Sequence, residues 1–597
     1  MGLPLDDAST ILECVQHYVR QQPDKCAYTF LANGEDDLCA LTYGELDERS
    51  NRLAHHLVGL GYTGGVAVLL FPSGLEFIVA FFACLKARVI AVPANFTRTS
   101  KHFARLQAIV SDSTAQVVLT TPSLKAIVQA GLESVGLDAN HVCVLDESDA
   151  SHTSSSACVL QQANAADLAF LQYTSGSTGS PKGVMVTHGQ LIANERAIRL
   201  SADLPEYPEA AGWLPQFHDM GLIGATLQPI VLGGHYAFMS PLHFIQRPLR
   251  WLQMIGRFGS IGSGAPNFAL DLCVKAADKA VQEDLRGLDL SCLRVILCGA
   301  EPVNADVVAQ FTKRFATVGL SPGVVRPCYG LAEATLLVSG GDAPGSPALL
   351  MLNRDKLSQG GVCESTQSNA FKAVCCGSVA EGHEVAIVDP QRLERVDDAS
   401  IGEIWVRGPS VASGYWRKRD ATFQTFEARL SDGHGPFMRT GDLGFMRGPG
   451  LYITGRIKEL MIVRGRNYHP NDIEQTIAQV LGSHWGGGAC VVFSVTEAAA
   501  EKAVVALELA RRQHAPCTDE IRGTIASVRH AVTQVHELQL AAVLVLNFGS
   551  IPRTSSGKTQ RLRCAQMYAS GEMDSLQAKI PTSQVAQTHE HEHELSI

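Results

Sequence analysis

The stretch TSGSTGSPKG, residues 174–183, decides the fold. It combines three glycines, five hydroxyl side chains, one proline and one lysine in ten positions. Glycine lets backbone N–H groups approach an anion closely, so this composition indicates a phosphate-binding loop. A Walker A loop ends in Gly-Lys followed by Ser or Thr, whereas here Pro181 precedes Lys182 and Gly183 follows it. The spacing therefore excludes a P-loop ATPase and leaves another phosphate-binding loop or a flexible turn.

The segments on either side of this loop are short and apolar. LAFLQY (168–173) precedes the loop and VMVTH (184–188) follows it, and both are typical of buried strands. A glycine-rich loop between two strands is more often an ordered turn than slack chain. We therefore predict an ordered phosphate-binding loop that joins two strands.

Length, charge and cysteine usage limit the class of protein. The 597 residues are too many for one core, and the formal net charge of −10 argues against a nucleic-acid partner. The sixteen cysteines form no CxxC pairs and no signal peptide opens the sequence, so we expect reduced thiols and a cytoplasmic location. The most apolar run, residues 77–85, is stopped by Lys86 and Arg88 and is too short for an integral membrane segment.

Strand and helix patterns divide the chain into two parts. Up to about residue 456, short apolar strands such as 65–71 and 294–300 alternate with helical patterns, which predicts an α/β domain with mostly parallel sheets. A smaller unit, at about 457–580, follows it. The last residues, 581–597, are polar and carry alternate histidines, and we expect a disordered tail there rather than a metal site.

Further motifs accompany the glycine loop in a fixed order. They are YGLAEAT (329–335), GEIWVRGPSVASGYW (402–416), RTGDLG (439–444), TGRIKELMIVRG (454–465) and PRTSSGK (552–558). With these motifs the chain resembles the adenylate-forming superfamily of acyl-CoA synthetases, luciferases and adenylation domains. The resemblance implies a large adenylate-forming domain (1–456) with a β-barrel-like part, and a small mobile α+β domain (457–580) that acts as a lid.

The resemblance also implies a reaction in which a carboxylate attacks the α-phosphate of ATP and pyrophosphate leaves. Both reactants are anions, so the site must position them and neutralise their charge. The residues expected to hold ATP are Thr174, Ser175, Gly176, Ser177, Thr178, Lys182, Gly299, Ala300, Glu301, Cys328, Tyr329, Gly330, Asp442 and Arg456. Glu333 is expected to bind Mg²⁺, a hard cation that takes oxygen ligands, and Asp442 to accept hydrogen bonds from the ribose.

Two lysines in the small domain receive roles from the resemblance. Lys558 is expected to be the catalytic lysine that bridges the acyl carboxylate and the α-phosphate, where negative charge builds up. Lys458 is expected to be the hinge about which the small domain rotates. Without the accompanying motifs, each would be an ordinary polar residue on a surface loop.

The segments WLPQFHDMGLIG (213–224) and SGAPNFALDLC (263–273) resemble signatures of fatty acyl-AMP ligases, which activate fatty acids and pass them to carrier proteins. By this resemblance His218 gates the acyl tunnel, and an acyl carrier protein with a phosphopantetheine thiol is the acceptor. The residues expected to line the acyl pocket are Phe217, Met220, Gly221, Leu222, Ala265 and Phe268. Core packing explains these apolar residues equally well.

The chain between Glu333 and Gly377 is about twenty residues longer than the usual acyl-CoA synthetase connection, and an excess of that size is usually functional. In fatty acyl-AMP ligases an insertion here, at about 349–376, packs on the large domain and hinders the rotation that would build a CoA tunnel. The apolar residues expected to anchor it are Leu349, Leu350, Met351, Leu352 and Phe371. A plain surface excursion remains the alternative. The alternative functions are a fatty acyl-CoA synthetase and a non-catalytic nucleotide-binding regulator.

Overall fold

The structure is a computed structural model, and its chain folds into two compact units. The first comprises residues 1–351 and 372–454, and the second comprises residues 352–371 and 455–597. The residues that the structure describes are 4–96, 100–137, 142–150, 159–174, 181–279, 285, 287–342, 345, 348–367, 369–481, 485, 490–497, 500–510, 518–554 and 558–576. The expected tail at 581–597 lies outside them.

The strands are, in chain order, β1 (Cys26–Leu31), β2 (Leu38–Thr42), β3 (Val66–Phe71), β4 (Ile90–Asn95), β5 (Val117–Leu119), β6 (Cys143–Leu145), β7 (Leu168–Thr174), β8 (Lys182–Thr187), β9 (Glu209–Gly212), β10 (His235–Met239), β11 (Gly262–Ala265), β12 (Val295–Cys298), β13 (Val325–Pro327), β14 (Tyr329–Gly330), β15 (Leu337–Gly340), β16 (Leu349–Leu352), β17 (Phe371–Val379), β18 (Glu384–Asp389), β19 (Glu394–Arg395), β20 (Gly402–Arg407), β21 (Met438–Arg447), β22 (Gly450–Arg456), β23 (Met461–Val463), β24 (Arg466–Tyr468), β25 (Cys490–Glu497), β26 (Ala500–Glu508) and β27 (Leu540–Leu546).

The α-helices are α1 (Pro4–Asp7), α2 (Ile11–Gln21), α3 (Tyr43–Gly59), α4 (Leu75–Ala87), α5 (Ser100–Ser113), α6 (Lys125–Glu133), α7 (His188–Ala202), α8 (Gln228–Val231), α9 (Pro241–Gln246), α10 (Leu249–Phe258), α11 (Asn267–Lys279), α12 (Ala305–Phe315), α13 (Arg354–Ser358), α14 (Arg419–Phe426), α15 (Pro470–Val480), α16 (Thr518–His536) and α17 (Arg561–Ala569). In the described parts of the chain, no helix has both the length and the apolar character needed to cross a membrane.

Two sheets of the first unit are mostly parallel, as the alternation of strands and helices predicts. One has six strands in the order β6-β5-β3-β4-β7-β8, and the other has seven in the order β13-β12-β11-β9-β10-β1-β2. Helix α4 is buried at every residue except Glu76. A helix that is apolar all round belongs inside a protein, which explains why the apolar run 77–85 is core rather than membrane segment.

The part of the first unit expected to be barrel-like is a nine-stranded sheet. Its strands run in the order β14-β15-β17-β22-β21-β20-β18-β19, with β16 paired to β17. The pairings of β14 with β15, β15 with β17 and β18 with β20 are antiparallel. The outermost strands of this sheet are β14 and β19.

The second unit contains a three-stranded sheet in the order β25-β26-β27 and a short ribbon of β23 and β24. Successive strand residues point to opposite faces. Val492 and Val505 therefore pack in one cluster with residues of α15 and α16, whereas Val491 and Val504 pack in another with residues of α17. Helices on both faces of a small mixed sheet give the α+β unit that the sequence predicts.

The unit boundaries differ from the predicted ones in two respects. The first unit ends at residue 454 rather than 456, and residues 352–371 of the insertion belong to the second unit. Only the flanking strand residues 349–351 and 372–376 stay with the large unit. The sequence could not indicate this because the anchoring contacts, described below, join residues more than a hundred positions apart.

Candidate active site

The described ends of the glycine loop form a strand pair. Thr174 is the last residue of β7 and lies opposite Lys182, the first residue of β8, in an antiparallel register. The prediction of strands on both sides of the loop is confirmed. Ser175, Gly176, Ser177 and Thr178 lie outside the described residues.

Side chains from distant segments hold the base of this loop. The Tyr173 hydroxyl donates to Asp112 Oδ2 at 2.7 Å, and Lys418 Nζ pairs with Asp112 Oδ1 at 2.5 Å. A Cβ on Gly183 would lie 3.0 Å from the Tyr173 ring, so the hairpin packs tightly against that ring. The loop therefore starts and ends at fixed positions.

The loop lysine and the expected metal carboxylate contact the same tyrosine. Lys182 Nζ lies 4.7 Å from the centroid of the Tyr415 ring, and the Tyr415 hydroxyl donates to Glu333 Oε1 at 2.8 Å. Burial and the neighbouring Glu333 carboxylate raise the pKa of Tyr415, so its hydroxyl stays a proton donor. Lys182, Tyr415 and Glu333 therefore form one cluster.

A buried asparagine fixes the chain around Glu333. Asn194 of α7 is fully buried, and its amide nitrogen donates to the Leu337 carbonyl at 3.0 Å while its amide oxygen accepts from the Leu337 N–H at 3.0 Å. Helix α7 itself begins with a capping box between Thr187 and Gln190, immediately after β8. The same helix thus follows the glycine hairpin and supports the Glu333 segment.

The two segments expected to hold adenine lie against each other. Gly299 follows β12, and a Cβ there would lie 2.8 Å from Cys328 Sγ, so only glycine permits this approach. The Cys328 N–H donates to the Cys298 carbonyl at 2.8 Å. Ala300 has a φ of 68°, a left-handed conformation that non-glycine residues rarely adopt. Strain of this kind concentrates at functional sites.

The expected ribose-binding carboxylate is placed by the tyrosine of the same adenine segment. Tyr329 donates from its hydroxyl to Asp442 Oδ2 at 2.7 Å, and Asp442 is 6% exposed. The N–H of Asp442 donates to Thr440 Oγ1 at 3.0 Å. Buried Glu403 pairs with Arg439 at 2.7 Å and supports the strand β21 on which Asp442 lies.

His218 lies at the entrance of an unusual helix. Its Nδ1 is 2.5 Å from Asp219 Oδ1, and Asp219 caps a π-helix that spans Met220–Leu227. A Cβ on Gly221 would lie 2.0 Å from the Pro215 carbonyl oxygen, so this turn requires glycine. A π-turn is often found at functional sites.

The residues expected to line the acyl pocket separate into two groups. Met220 approaches Gly264 of β11, where its Cε would lie 3.2 Å from an added Cβ, and Ala265 follows in that strand. The Phe268 N–H donates to Glu301 Oε1 at 2.6 Å, which joins this segment to the adenine segment. Leu222 is fully buried in the main hydrophobic core, which favours the packing explanation for that residue.

Aromatic rings surround Phe268, one of the residues expected in the acyl pocket. The Trp213 and Phe244 rings stack with centroids 3.9 Å apart, and the Phe268 ring meets Trp213 edge-on at 6.0 Å. Phe217 is half-buried, and its carbonyl accepts a hydrogen bond from Gln172 Nε2 at 3.0 Å. Because Gln172 belongs to β7, the Phe217 backbone is tied to the strand that leads into the glycine loop.

The second unit carries the remaining predicted residues. Lys558 is exposed, and its N–H donates to Thr554 Oγ1 at 3.1 Å while its carbonyl accepts from the Thr554 N–H at 2.8 Å. Arg456 ends β22, and Lys458 lies in the 3₁₀ turn that follows. The turn holds the Lys558 backbone and leaves its side chain in solvent.

The insertion is fixed to the second unit by a buried polar cluster. Arg354 of α13 forms an ion pair with Asp472 of α15, and its guanidinium also donates to the Asn369 carbonyl. His536 Nδ1 lies 3.6 Å from Asp472 Oδ2, and His536 Nε2 is 2.8 Å from Thr476 Oγ1. Burial and the Arg354 charge lower the pKa of His536 to about 3, so this histidine is neutral.

The apolar anchors expected for the insertion are partly confirmed. Leu350, Leu352 and Phe371 are buried, whereas Leu349 is 39% exposed and Met351 is half-buried. The alternation follows the two faces of β16. Leu349 is exposed because it lies on the outer face of this strand.

Tyr415 is not among the residues predicted for the site, although it lies within the motif at 402–416 that ends in GYW. The signal was the aromatic residue itself, but its partner Glu333 is 82 positions away in sequence. Arg354 is not among the predicted residues either, and the sequence marks it only as a charged residue beside the apolar ones of the insertion.

Comparison with known proteins places the chain in a family. A family model described as AMP-binding enzyme matches residues 15–416, and one described as the AMP domain of Disco-interacting protein 2-like proteins matches residues 458–578. The chain is 38% identical over 585 residues to the medium-chain-fatty-acid–[acyl-carrier-protein] ligase JamA of Moorena producens (strain JHB), covering 96% of this chain and 97% of that protein.

Solved structures agree with this assignment. A structure from a study of fatty acyl-adenylate ligases from E. coli and L. pneumophila is 29% identical, with a TM-score of 0.85 over 95% of this chain and 99% of that one. A fatty acyl-adenylate ligase from L. pneumophila in complex with acyl adenylate and pyrophosphate is 33% identical, with a TM-score of 0.73 over 95% and 97% of the two chains. The chain therefore belongs to the AMP-binding enzymes and, among them, to the fatty acyl-AMP ligases.

Proposed function

We propose that this enzyme converts a fatty acid and ATP into acyl-AMP and pyrophosphate, and passes the acyl group to the phosphopantetheine thiol of an acyl carrier protein in polyketide or lipopeptide biosynthesis. The observation that carries the proposal is the cluster of Lys182, Tyr415 and Glu333 beside the glycine hairpin. It brings a cation, a hydrogen-bond donor and a carboxylate to the place where the phosphates of ATP are expected. The expected location is the cytoplasm.

The proposed nucleotide contacts use groups whose positions the fold fixes. Asp442, oriented by Tyr329, accepts from the ribose hydroxyls, since a carboxylate takes two donors well. Gly299 and Cys328 form a slot for the adenine ring. Thr174 and Lys182 bring a hydroxyl and an ammonium group to the phosphates. Positioning of this kind supplies most of the rate enhancement in phosphoryl-type transfers.

The metal proposal rests on the chemistry of Glu333. Tyr415 donates to Glu333 Oε1, so Oε2 is the oxygen that we assign to Mg²⁺. Among the described residues no group of three or more His, Cys, Asp or Glu side chains could hold a metal ion. This fits Mg²⁺, which is usually held by one or two carboxylates together with substrate phosphates. A bound Mg²⁺ would supply positive charge to the pyrophosphate leaving group.

Lys558 is the proposed catalytic lysine. An ammonium group at the reacting carboxylate and α-phosphate stabilises the charge that accumulates on the phosphorus oxygens. Its exposed side chain is suited to a residue that engages substrate only in one state of the enzyme. His218, next to the capped π-helix, is the proposed gate of the acyl tunnel, and Phe217, Met220 and Phe268 are proposed to line that tunnel.

The insertion supports a carrier protein as acceptor rather than CoA. Residues 352–371 belong to the second unit, and the Arg354–Asp472 pair fastens α13 to α15. We propose that the fastened insertion restricts the rotation of this unit about Lys458 that CoA transfer requires. Separating this partly buried pair would leave the buried Asp472 carboxylate without its counter-charge, so this anchor resists opening.

The alternative function is a fatty acyl-CoA synthetase. Preformed acyl-AMP enzyme is offered equal concentrations of CoA and a phosphopantetheinylated carrier protein, and the thioesters are separated by mass spectrometry. We expect acyl carrier protein as the main thioester product. Acyl-CoA as the main product would reject the proposed acceptor while leaving adenylation intact.

A further inference from the structure

A polar cluster lies at the N-terminal ends of three neighbouring strands of the seven-stranded sheet, away from the proposed active site. Cys26, Glu209 and His235 are the first residues of β1, β9 and β10, and these three parallel strands are neighbours in the order β9-β10-β1. The acyl-pocket segment begins at Trp213, just after the opposite end of β9. The four residues of β9 separate the polar cluster from Trp213 by roughly 13 Å along the strand.

The four side chains of this cluster are linked in series. His235 Nδ1 is 2.8 Å from Glu209 Oε2, and His235 Nε2 is 2.9 Å from Thr29 Oγ1. Thr29 Oγ1 is in turn 3.4 Å from Cys26 Sγ. The imidazole therefore lies between a carboxylate that orients it and a hydroxyl that links it to the thiol, and the thiol also donates to the Tyr28 carbonyl at 3.2 Å. A nucleophile is activated by a base that a third group orients, and here Thr29 connects the base to the nucleophile.

The charges in the cluster favour a proton on the imidazole and its loss from the thiol. Burial alone would lower the pKa of His235, but its interactions with the neighbouring Cys26 and Glu209 and their charges raise it to about 9. Burial alone would raise the pKa of Cys26, but hydrogen bonds with His235 and Thr29 and the imidazolium charge outweigh it and lower that pKa. A thiolate stabilised by a neighbouring cation is the reactive form of cysteine.

Cys26 is less buried than the side chains that link it to the imidazole. Cys26 is partly exposed, whereas His235 is 7% exposed and Thr29 is 6% exposed. Lys25 donates to the Gly233 carbonyl at 2.8 Å and adds a second positive charge near Glu209. The Phe258 ring of α10 packs against His235 at 5.7 Å and keeps water from one side of the imidazole.

We propose that Cys26 is a modification site, a thiolate activated by the Glu209–His235–Thr29 relay that reacts with hydrogen peroxide and similar soft electrophiles. The sulfur attacks one peroxide oxygen, so that an S–O bond forms and the O–O bond breaks. The leaving hydroxide takes the imidazolium proton through Thr29 and departs as water. Sulfur is oxidised to sulfenic acid and peroxide is reduced. This site does not depend on the proposed acyl transfer.

The test measures modification of Cys26 in the full chain. Wild-type protein is treated at pH 7 with limiting hydrogen peroxide and a sulfenic-acid trap, or with iodoacetamide, and each cysteine is quantified by peptide mass spectrometry. Cys39, exposed on the adjacent strand β2, is the internal control. We expect Cys26 to react about fivefold faster than Cys39. Equal or slower reaction of Cys26 would overturn the proposal.

Variants separate an activated thiol from a merely accessible one. Glu209→Gln keeps an oxygen acceptor but removes the charge, and Thr29→Val removes the relay hydroxyl; each is expected to reduce the Cys26 rate to about that of Cys39. His235→Gln should have the largest effect, and thermal unfolding checks that each variant is folded. If His235→Gln does not fold, the Cys26 rates of Glu209→Gln and Thr29→Val decide whether the relay activates the thiol. Folded variants that retain the wild-type Cys26 rate would contradict the relay.

Discussion

The proposed nucleotide residues of the first unit and the proposed catalytic lysine of the second unit are held in opposite ways. Glu333 and Asp442 each receive a hydrogen bond from a tyrosine hydroxyl, at 2.8 and 2.7 Å. Lys558 is exposed, and the contacts of its turn involve its backbone. Groups that bind ATP gain from being fixed in advance, whereas a group that serves one step must be able to leave. The difference predicts that a substitution can abolish acyl-AMP formation without weakening ATP binding.

The largest effect is expected for Lys558→Ala. Loss of the ammonium group removes charge stabilisation in the transition state, so fatty-acid-dependent pyrophosphate release should fall about 100- to 1,000-fold. ATP affinity, measured by calorimetry, should change little because the proposed binding groups of the first unit are intact. Arg563→Ala, which removes an exposed positive charge from α17, serves as the control.

A strong loss of ATP affinity in Lys558→Ala would erase the contrast between the two regions. Unchanged pyrophosphate release in that variant would remove Lys558 from the catalytic residues altogether.

Tyr415→Phe tests whether Glu333 of the first unit must be held in place by the Tyr415 hydroxyl. This change removes only the hydroxyl that donates to Glu333, and a hydrogen bond to a charged group contributes about 1.5–3 kcal/mol. We expect about a tenfold loss of adenylation rate and a higher Mg²⁺ concentration for half-maximal activity. Titration of pyrophosphate release against Mg²⁺ measures both. Phe423, exposed on α14, offers a matched control in Phe423→Tyr.

An unchanged Mg²⁺ dependence in Tyr415→Phe would show that Glu333 is positioned by other contacts or does not hold the metal.

Arg354→Ala tests whether the insertion restrains the second unit. Loss of the Arg354–Asp472 pair should free the insertion from α15 and raise acyl-CoA formation about fivefold, the low end of common coupling energies. The measurement is acyl-CoA yield with CoA as the sole acceptor. Lys356→Ala, an exposed charge in the same helix, should behave as wild type. An acyl-CoA yield that stays at the wild-type level in a folded Arg354→Ala protein would leave the insertion as a surface excursion.

The last prediction concerns acid stability. Burial lowers the pKa of His188 to about 4 and of His469 to about 4, and burial with the Arg354 charge lowers that of His536 to about 3. Unfolding lets each imidazole take a proton below about pH 6.5, so stability is present above that pH and is lost as pH falls toward 4. Each histidine costs about 1.4 kcal/mol per pH unit in this window.

His188 lies in the first unit, where burial also lowers the pKa of His243 and His383, and His469 and His536 lie in the second unit, so acid should destabilise both units. Hydrogen exchange followed by mass spectrometry at pH 7 and pH 5 reports the two units separately. His536→Asn should reduce the pH dependence in the second unit only. A pH dependence of the second unit that His536→Asn leaves unchanged would contradict this assignment.

Sequence reasoning reached the parts of the fold that depend on local pattern. The apolar runs around the glycine loop became β7 and β8, and the run at 77–85 became the buried helix α4. The predicted strands at 65–71 and 294–300 became β3 and β12. Period, length and flanking glycines are properties of neighbouring residues, so they can be read without knowing what packs on them.

The contacts that organise the candidate site were not accessible in this way. Tyr415 reaches Glu333 across 82 positions, and Arg354 reaches Asp472 across 118. The apolar segment Met220–Leu227 gave no sign of its π-helical turn, which depends on the approach of Gly221 to the Pro215 carbonyl. Long-range pairs and close backbone approaches are set by tertiary packing.

Formation of acyl-AMP is the central claim, and direct observation of the nucleotide products tests it best. The enzyme is incubated with ATP, Mg²⁺ and a series of fatty acids in the absence of CoA and carrier protein, and the products are identified by mass spectrometry. We predict acyl-AMP and pyrophosphate in equal amounts. Production of ADP and phosphate, or the absence of any acyl-AMP across the whole series, would contradict the account.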